Sequence, residues 1–492
     1  MNHNSTTDNT TPEFNFSICE EKKKELKSSK ITVPLADADS TNMKNMHDFN
    51  CYVDAKVFVI IIALTHGLLE VGSISIFFYQ KLNLLLEPQI IQMLAGIITF
   101  PWCIKPVFGY ICDNLIRRVR KTKYIIVATS TIKVITYSII AHYQPGITLF
   151  YLLCLINSTC SLFENIIAEY ILVLSTKKES EADSTKKANH FPLYFGYRAL
   201  GALIGSFSGG KIMSFYKLET NFLICSSIPL VTIFMAYIYK ENAMVFDPNE
   251  DRSFRKELSR MKQLVLQENV LMMIIFICLI NMTPNFDALV TFYLTDHLRF
   301  TTSDLSNFSS FATVCYILGL VLYSNYFKDT NPKKFYVSTN FMLWLCNISF
   351  LLVVLGLLDA WGFNYKLFCM LSQGATSLIA EMNFMPILAI WCTMCPVGLE
   401  ATSITLFTGL INLSNNLSNY FGSFLIWLLS IHKTDFNEIW KAIVLQNTYL
   451  LIMMLAVVFV GFPEPGKQDE NKSCESTEED IDSSQRAIDI AQ

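Results

Sequence analysis

The 492-residue chain is 52% hydrophobic and 13% aromatic but only 16% charged, against roughly a quarter charged in ordinary soluble domains. Its net charge of −4 gives no sign of a nucleic-acid partner, and the charges concentrate in the two tails and the loops. These proportions exclude a large soluble domain and point to an all-α integral membrane protein whose surroundings are the lipid bilayer.

Residues 1–55 are rich in Asn, Thr, Lys and Glu and are expected to form a disordered cytosolic tail. The first apolar run starts near Val57, so no cleavable signal peptide is expected. Apolar stretches of about twenty residues or more, enough to span a bilayer, follow at 56–79, 88–112, 123–142, 147–174, 191–213 and 221–239. A charged central loop at 240–267 separates these from six more at 268–294, 305–327, 335–358, 365–393, 398–430 and 438–461. The tail at 462–492 is acidic and polar. The expectation is therefore twelve transmembrane helices in two six-helix halves, 56–239 and 268–461. Loops after even-numbered helices carry 18 Lys and Arg residues against five after odd-numbered ones, which places both termini in the cytosol.

The second helix and its loop are the most informative stretch. Lys105, Gly109 and Asp113 lie four residues apart on nearly one helical face, and Arg117, Arg118, Arg120, Lys121 and Lys123 follow at once. Gly109 is expected to admit a neighbouring helix. An acid and a glycine ahead of a tight basic loop mark a transporter hinge, with a positive-inside anchor as the plainer reading. A similar Gly319 ahead of Lys328, Lys333 and Lys334 ends the eighth helix, and paired halves of this kind hold substrate near the midplane in many carriers.

Charges inside spans are costly and mark cavities or partners. Glu70 falls one turn after His66, as a structural pair or a proton-coupling site. Helix 5 carries Tyr194, Arg198 and then Gly201, Gly205 and Gly209 at the spacing of close helix packing. Arg198 keeps its proton and so requires an anion, either a substrate or the acids Glu164 and Glu169. Asp287 follows Pro284, where a freed backbone often marks a binding bend; it is a substrate or proton site, or else a helix N-cap near an outer break. On helix 11, Thr405, Thr408, Asn412, Asn415, Asn416 and Asn419 share an arc of roughly 100°, lining a pathway or bonding neighbouring helices. The chain has no GxxxxGK[ST], HExxH or GxSxG, so no enzyme activity and no ATP-driven step are expected. The cysteines are scattered singly, and Cys392-Thr-Met-Cys395 has no second pair, so no metal or cofactor is expected.

Four stretches resemble the folate–biopterin transporters of the major facilitator superfamily. Pro101-Trp102-Cys-Ile-Lys105-Pro106-Val-Phe-Gly109-Tyr-Ile-Cys-Asp113 is similar to that family's Pro-Trp-x-x-Lys-Pro-x-x-Gly-x-x-Ser-Asp signature, with Cys112 for the small hydroxyl. Tyr197-Arg198-Ala199-Leu200-Gly201 resembles its helix-5 motif. Pro284-Asn-Phe-Asp287 through Leu298-Arg299-Phe300 resembles its helix-7 region, where Arg299 departs. Cys395-Pro396-Val-Gly398-Leu-Glu400-Ala-Thr is similar to its Cys-Pro-x-Gly-x-Glu-Gly-Thr segment, with Ala401 for Gly. In helix 4 the family's paired aspartates are replaced by Glu164 and Glu169 at a different spacing.

The resemblance implies an alternating-access carrier of folates, pterins or related small organic anions, with symport driven by a proton gradient rather than a cofactor. In this reading Arg198, Asp287, Tyr194, Asn412 and Asn416 bind substrate. Glu70, Asp287, Glu164 and Glu400 are the proton-coupling candidates, and Lys105, Gly109, Asp113 and Arg117 form an inner gate. A monomer in the plasma membrane is expected. The alternatives are a ligand-binding membrane sensor, or the same carrier moving an amino acid, a methyl donor or another metabolite.

Overall fold

Prolines decide where the helices bend, and the bends decide where polar groups are presented. The computed structural model describes residues 54–182, 191–241, 265–394 and 400–459, with 259, 262 and 263. Among these residues the secondary structure is helical and no strand forms. The two tails, most of the central loop and residues 395–399 of the fourth family-like stretch lie outside the described residues.

Helix α1 (Ala55–Asn83) is followed by α2 (Pro88–Cys103) and α3 (Lys105–Val119), which meet at a 48° bend. Pro101 and Pro106 flank that bend, Pro101 removing a ladder N–H inside α2 and Pro106 occupying the first turn of α3, where no ladder N–H is needed, so the expected second helix is one broken span. Arg117 and Arg118, read from sequence as loop, close the last turn of α3, where cations favour the C-terminal dipole. Arg120 then adopts a left-handed φ of 62° and stops the helix. The first half is completed by α4 (Thr122–Tyr143), α5 (Ile147–Ala182), α6 (Phe191–Phe215) and α7 (Leu218–Ile238).

The second half repeats the plan. Helix α8 (Glu268–Asn281) breaks around Pro284 and restarts as α9 (Asp287–Phe292), which runs into a wide turn at Tyr293–His297. Then follow α10 (Thr302–Phe327), α11 (Pro332–Val354), α12 (Tyr365–Met394), α13 (Glu400–Leu428) and α14 (Ile439–Phe459). Among the described residues seven helices are long and apolar enough to cross a membrane on their own, and the bent α2–α3 pair makes an eighth. Helices α6, α12 and α13 have spanning length but carry glycines or amides, and α8–α9 is interrupted by its proline. Counted with them, the spans number twelve among the described residues.

Each half has its own apolar cores. Phe58, Ile62, Ile126 and Ile167 centre one in the first half, and Leu289, Ile426 and Ala442 one in the second. The α1–α6 seam is backbone against backbone, as the glycine spacing predicted. A Cβ at Gly201, Gly205 or Gly209 would lie within 2.8 Å of Leu64 O, Leu68 O or Val71 O.

The halves meet along α2 with α13 and α6 with α10. At the end carrying residues 84–87 and 430–438 they are tied together. Lys81 of α1 bonds Thr295 and Asp296 and stands 4.6 Å above the Phe292 ring. Lys433 lies 3.7 Å from Glu87. Ser306 of α10 donates to the carbonyls of Ser206 and Phe207 of α6.

Candidate functional site

Asn157, Ser161, Asn165 and Glu169 recur every fourth residue of α5, a spacing that drifts only ~40° per step and so forms one slowly turning polar stripe. Amides facing lipid would go unsatisfied, and this stripe instead lines a cavity of about 520 Å³, within the size range of small-molecule sites. His66 and Glu70 face it from α1, where Glu70 sits in a short 3₁₀ turn at Leu69–Gly72. Trp102, Lys105 and Arg198 enter from α2, α3 and α6. The second half contributes Thr408 and Asn412 from α13.

The charges of this region sort into two held pairs, Lys133 with Glu164 and Lys105 with Glu169, and two lining charges outside any ion pair, Arg198 and Glu70. Lys133 lies 2.6 Å from Glu164, both side chains 3% exposed, and Ser130 and Thr129 donate to the same carboxylate. That pair joins α4 to α5. Lys105 lies 2.8 Å from Glu169, and Asn165 also donates to that carboxylate. Both acids that sequence offered to Arg198 are therefore committed to lysines. Among the described residues no carboxylate lies within 4.0 Å of the Arg198 guanidinium; its protein contact is a 3.4 Å hydrogen bond donated to Asn165 Oδ1. Tyr194, 1% exposed, donates to the same oxygen at 3.1 Å and buttresses it from behind the cavity wall.

The structure brings some of the sequence candidates together and disperses others. Arg198, Glu70, Lys105 and Asn412 share the cavity. Lys105, assigned to an inner gate, lines the chamber, and Asp113 and Arg117 lie further along α3, outside its lining. A Cβ at Gly109 would meet nothing within 4 Å, so the close approach expected there is not made in this conformation. Asp287 also lies outside the cavity lining. Asn285 accepts from its backbone N–H at 2.8 Å and donates to its carboxylate at 3.0 Å; Asp287 is the first residue of α9, and the cap position expected for it is held by Phe286. Asn416 is buried in the α2–α13 seam, 2.5 Å from Thr99, and Asn419 accepts from Gln92 at 2.7 Å. The α13 stripe thus divides, Thr408 and Asn412 lining the cavity, Asn416 and Asn419 bonding α2, and Asn415 standing exposed. Glu400 begins α13, and its side chain lies outside the described residues. Sequence reasoning missed Trp102 and the α5 stripe as cavity lining, although the fourfold repeat of small polar residues was readable.

The family model described as the BT1 family matches residues 66–481, most of the chain. The chain belongs to the BT1 family. Within that family's sequence range it is 22% identical over 421 residues to a folate-biopterin transporter of Synechocystis, covering 84% of this chain and 83% of that protein. It is 26% identical to folate transporter 1 of Plasmodium falciparum, covering 78% and 75%. A probable folate-biopterin transporter 7 of Arabidopsis thaliana is 20% identical, over 81% and 91%. The family member's fold is that of solved major facilitator carriers. The nucleoside transporter NupG superposes with a TM-score of 0.61 at 13% identity, over 82% of this chain and 98% of that one. A D-xylose-proton symporter gives 0.59 at 11%, over 84% and 99%. The chain is a multi-pass membrane transporter and not an enzyme.

Proposed function

We propose that this transporter carries folate, pterin or a related small organic anion by alternating access, coupled to protons, at the plasma membrane. The observation that carries the reading is Arg198, which lines the cavity while the neighbouring acids Glu164 and Glu169 are each held by a lysine. A guanidinium offers a planar fork that matches a carboxylate through two parallel hydrogen bonds. Glu70 lines the same cavity with no cation within 4.0 Å among the described residues, so it is the acceptor for the amino and ring N–H donor edge of a pterin. In this reading Glu70 replaces Asp287 as the substrate acid, and both remain proton-coupling candidates. The curated relatives, named as folate and folate-biopterin transporters, favour the same cargo class.

Loop charge places both termini in the cytosol, which makes the tied end, with Lys81 and Lys433, the outer one. The decisive experiment is uptake of labelled folic acid and of a simple pterin into cells lacking their own folate uptake, at two external pH values. Saturable uptake that rises in acid is expected. Absence of both, with the protein verified at the cell surface, overturns the cargo while leaving the carrier fold.

A further inference from the structure

The two halves treat the buried acid of their fourth span differently. In the first half Glu164 of α5 is matched by Lys133 of α4, the third span. In the second half Glu381 of α12 is buried to 8% exposure, and among the described residues no Lys, Arg or His nitrogen lies within 4.0 Å of its carboxylate. The elements packed against it explain why. Helices α8, α10 and α13 contain no Lys, Arg or His, and the lysines of α11, Lys333 and Lys334, occupy its first turn. Lys366, the one basic residue of α12, sits about four turns from Glu381 and is held by Asp304 at 2.8 Å. From α11 Thr339 donates to Asn383, not to Glu381, and Tyr336 stands beside the same amide. What meets the carboxylate is Tyr316 of α10, whose hydroxyl hydrogen-bonds it and also feels the charge of Arg198. Gly319 brings the two helices together there, since a Cβ on it would lie 2.5 Å from Leu378 O of α12. Tyr316 is itself 42% exposed, so it links the cavity cation to the buried acid.

We infer that Glu381 binds the coupling proton, and that Tyr316 is the positioning residue that links it to the cavity. The assignment rests on the proton-coupled reading above and moves the proton from Glu70 and Asp287, the candidates kept there, to the second half. A carboxylate removed from water with no cation beside it is costly as an anion and far less so as a neutral acid. Glu70 and Asp287 are exposed and carry no such penalty. In each cycle a proton leaves water on the outer side, forms an O–H bond on the Glu381 carboxylate and returns to water on the cytosolic side, with no electron transferred. Charge links this step to the cargo. A cargo carboxylate clamped by Arg198 answers the positive charge felt at Tyr316 and adds an anion to the cavity. The loaded carrier then holds Glu381 best as the neutral acid, and by linkage the neutral acid favours the anionic cargo to the same degree.

The test uses the purified full chain in lipid vesicles and labelled folic acid, in two assays. One is accumulation driven by a pH gradient, acid outside. The other is counterflow at equal pH, in which the loaded carrier exchanges cargo while the proton stays bound. The wild type is expected to do both. Glu381→Gln, a fixed mimic of the neutral acid, is expected to lose accumulation above equal concentration and to keep counterflow. Glu381→Asp, which retains a titratable carboxyl, is expected to recover part of the accumulation. Tyr316→Phe, which removes only the hydroxyl, is expected to slow accumulation more than counterflow, and it carries the test if Glu381→Gln does not fold. Wild-type accumulation in Glu381→Gln, or loss of both activities in that variant while it remains folded, overturns the assignment and leaves the carrier reading intact. A wild type that exchanges folic acid but ignores the pH gradient overturns proton coupling and this assignment together, with the cargo reading standing. A wild type that does neither removes the cargo reading and the assignment with it.

Discussion

At the scale of single residues, what matters is which charges are already answered. Among the described residues Arg198 is answered by an amide oxygen and no carboxylate, and a lysine placed there would keep the charge but lose the planar fork. Arg198→Lys is expected to lower uptake by at least tenfold with normal surface expression; near-wild-type uptake would remove the anion-clamp role. Glu164 shows the opposite case. Its pair with Lys133 is buried on both sides, and removing one partner strands the other at a cost of about 3–5 kcal/mol. Glu164→Gln should therefore lower the melting temperature of purified protein. The double variant Lys133→Met with Glu164→Leu should regain much of that loss, because no charge is left without a partner. If the double variant is less stable than Glu164→Gln, the pair is not primarily structural, and the proton-coupling candidacy of Glu164 regains weight. Sequence could name Glu164, Glu169, Lys105 and Lys133 as charges in spans. It could not pair them, because the pairing depends on how α3 and α4 rotate against α5.

At the scale of elements, backbone approach explains which glycines are required. Gly201, Gly205 and Gly209 let α6 lie against α1, and any Cβ at Gly201 collides with a carbonyl at 2.3 Å. Gly201→Val should abolish accumulation of folded protein. Gly109 faces open space, so Gly109→Ala should leave expression and melting temperature unchanged or slightly raised, since alanine is favoured over glycine within a helix by about 0.5–1 kcal/mol. Turnover measured in that variant then reports on the gate assignment: a slowed cycle with unchanged stability supports it, and an unchanged cycle removes Gly109 from the gate. The repeated glycines of α6, the break at Pro284 and the two six-helix halves were legible because each follows from local chemistry, whereas the 48° break between α2 and α3 was not read. Nor was the division of the α13 stripe. Asn412 and Asn416 lie one turn apart on nearly one face, and only the bent path of α2 decides that one meets the cavity and the other meets Thr99.

At the scale of the whole molecule, the two halves are held together by polar ties at one end, and the alternating-access proposal requires those ties to break once per cycle. Lys81 is 9% exposed at its side chain and is gripped from the second half by Thr295, Asp296 and the face of Phe292. Glu87 is gripped by Lys433, whose backbone N–H donates to it at 2.9 Å. Separating the halves returns these charges to water, so the ties bias the equilibrium toward the state described here without locking it. Lys81→Ala should shift the population toward the state open at this end. The shift is measurable as faster modification of Ser310→Cys by a membrane-impermeant thiol reagent added outside, because Ser310 sits in the α6–α10 seam, 3.4 Å from Ser206. The exchanged pair Lys81→Asp with Asp296→Lys should slow labelling again relative to Lys81→Asp alone, since attraction between the halves is restored in reverse sense. Labelling unaffected by Lys81→Ala would mean that apolar contacts such as Ile91 with Ala288 and Phe292 close this end by themselves. Labelling that rises only when the reagent reaches the cytosolic face would reverse the orientation inferred from loop charge, and would turn the same ties into an inner gate.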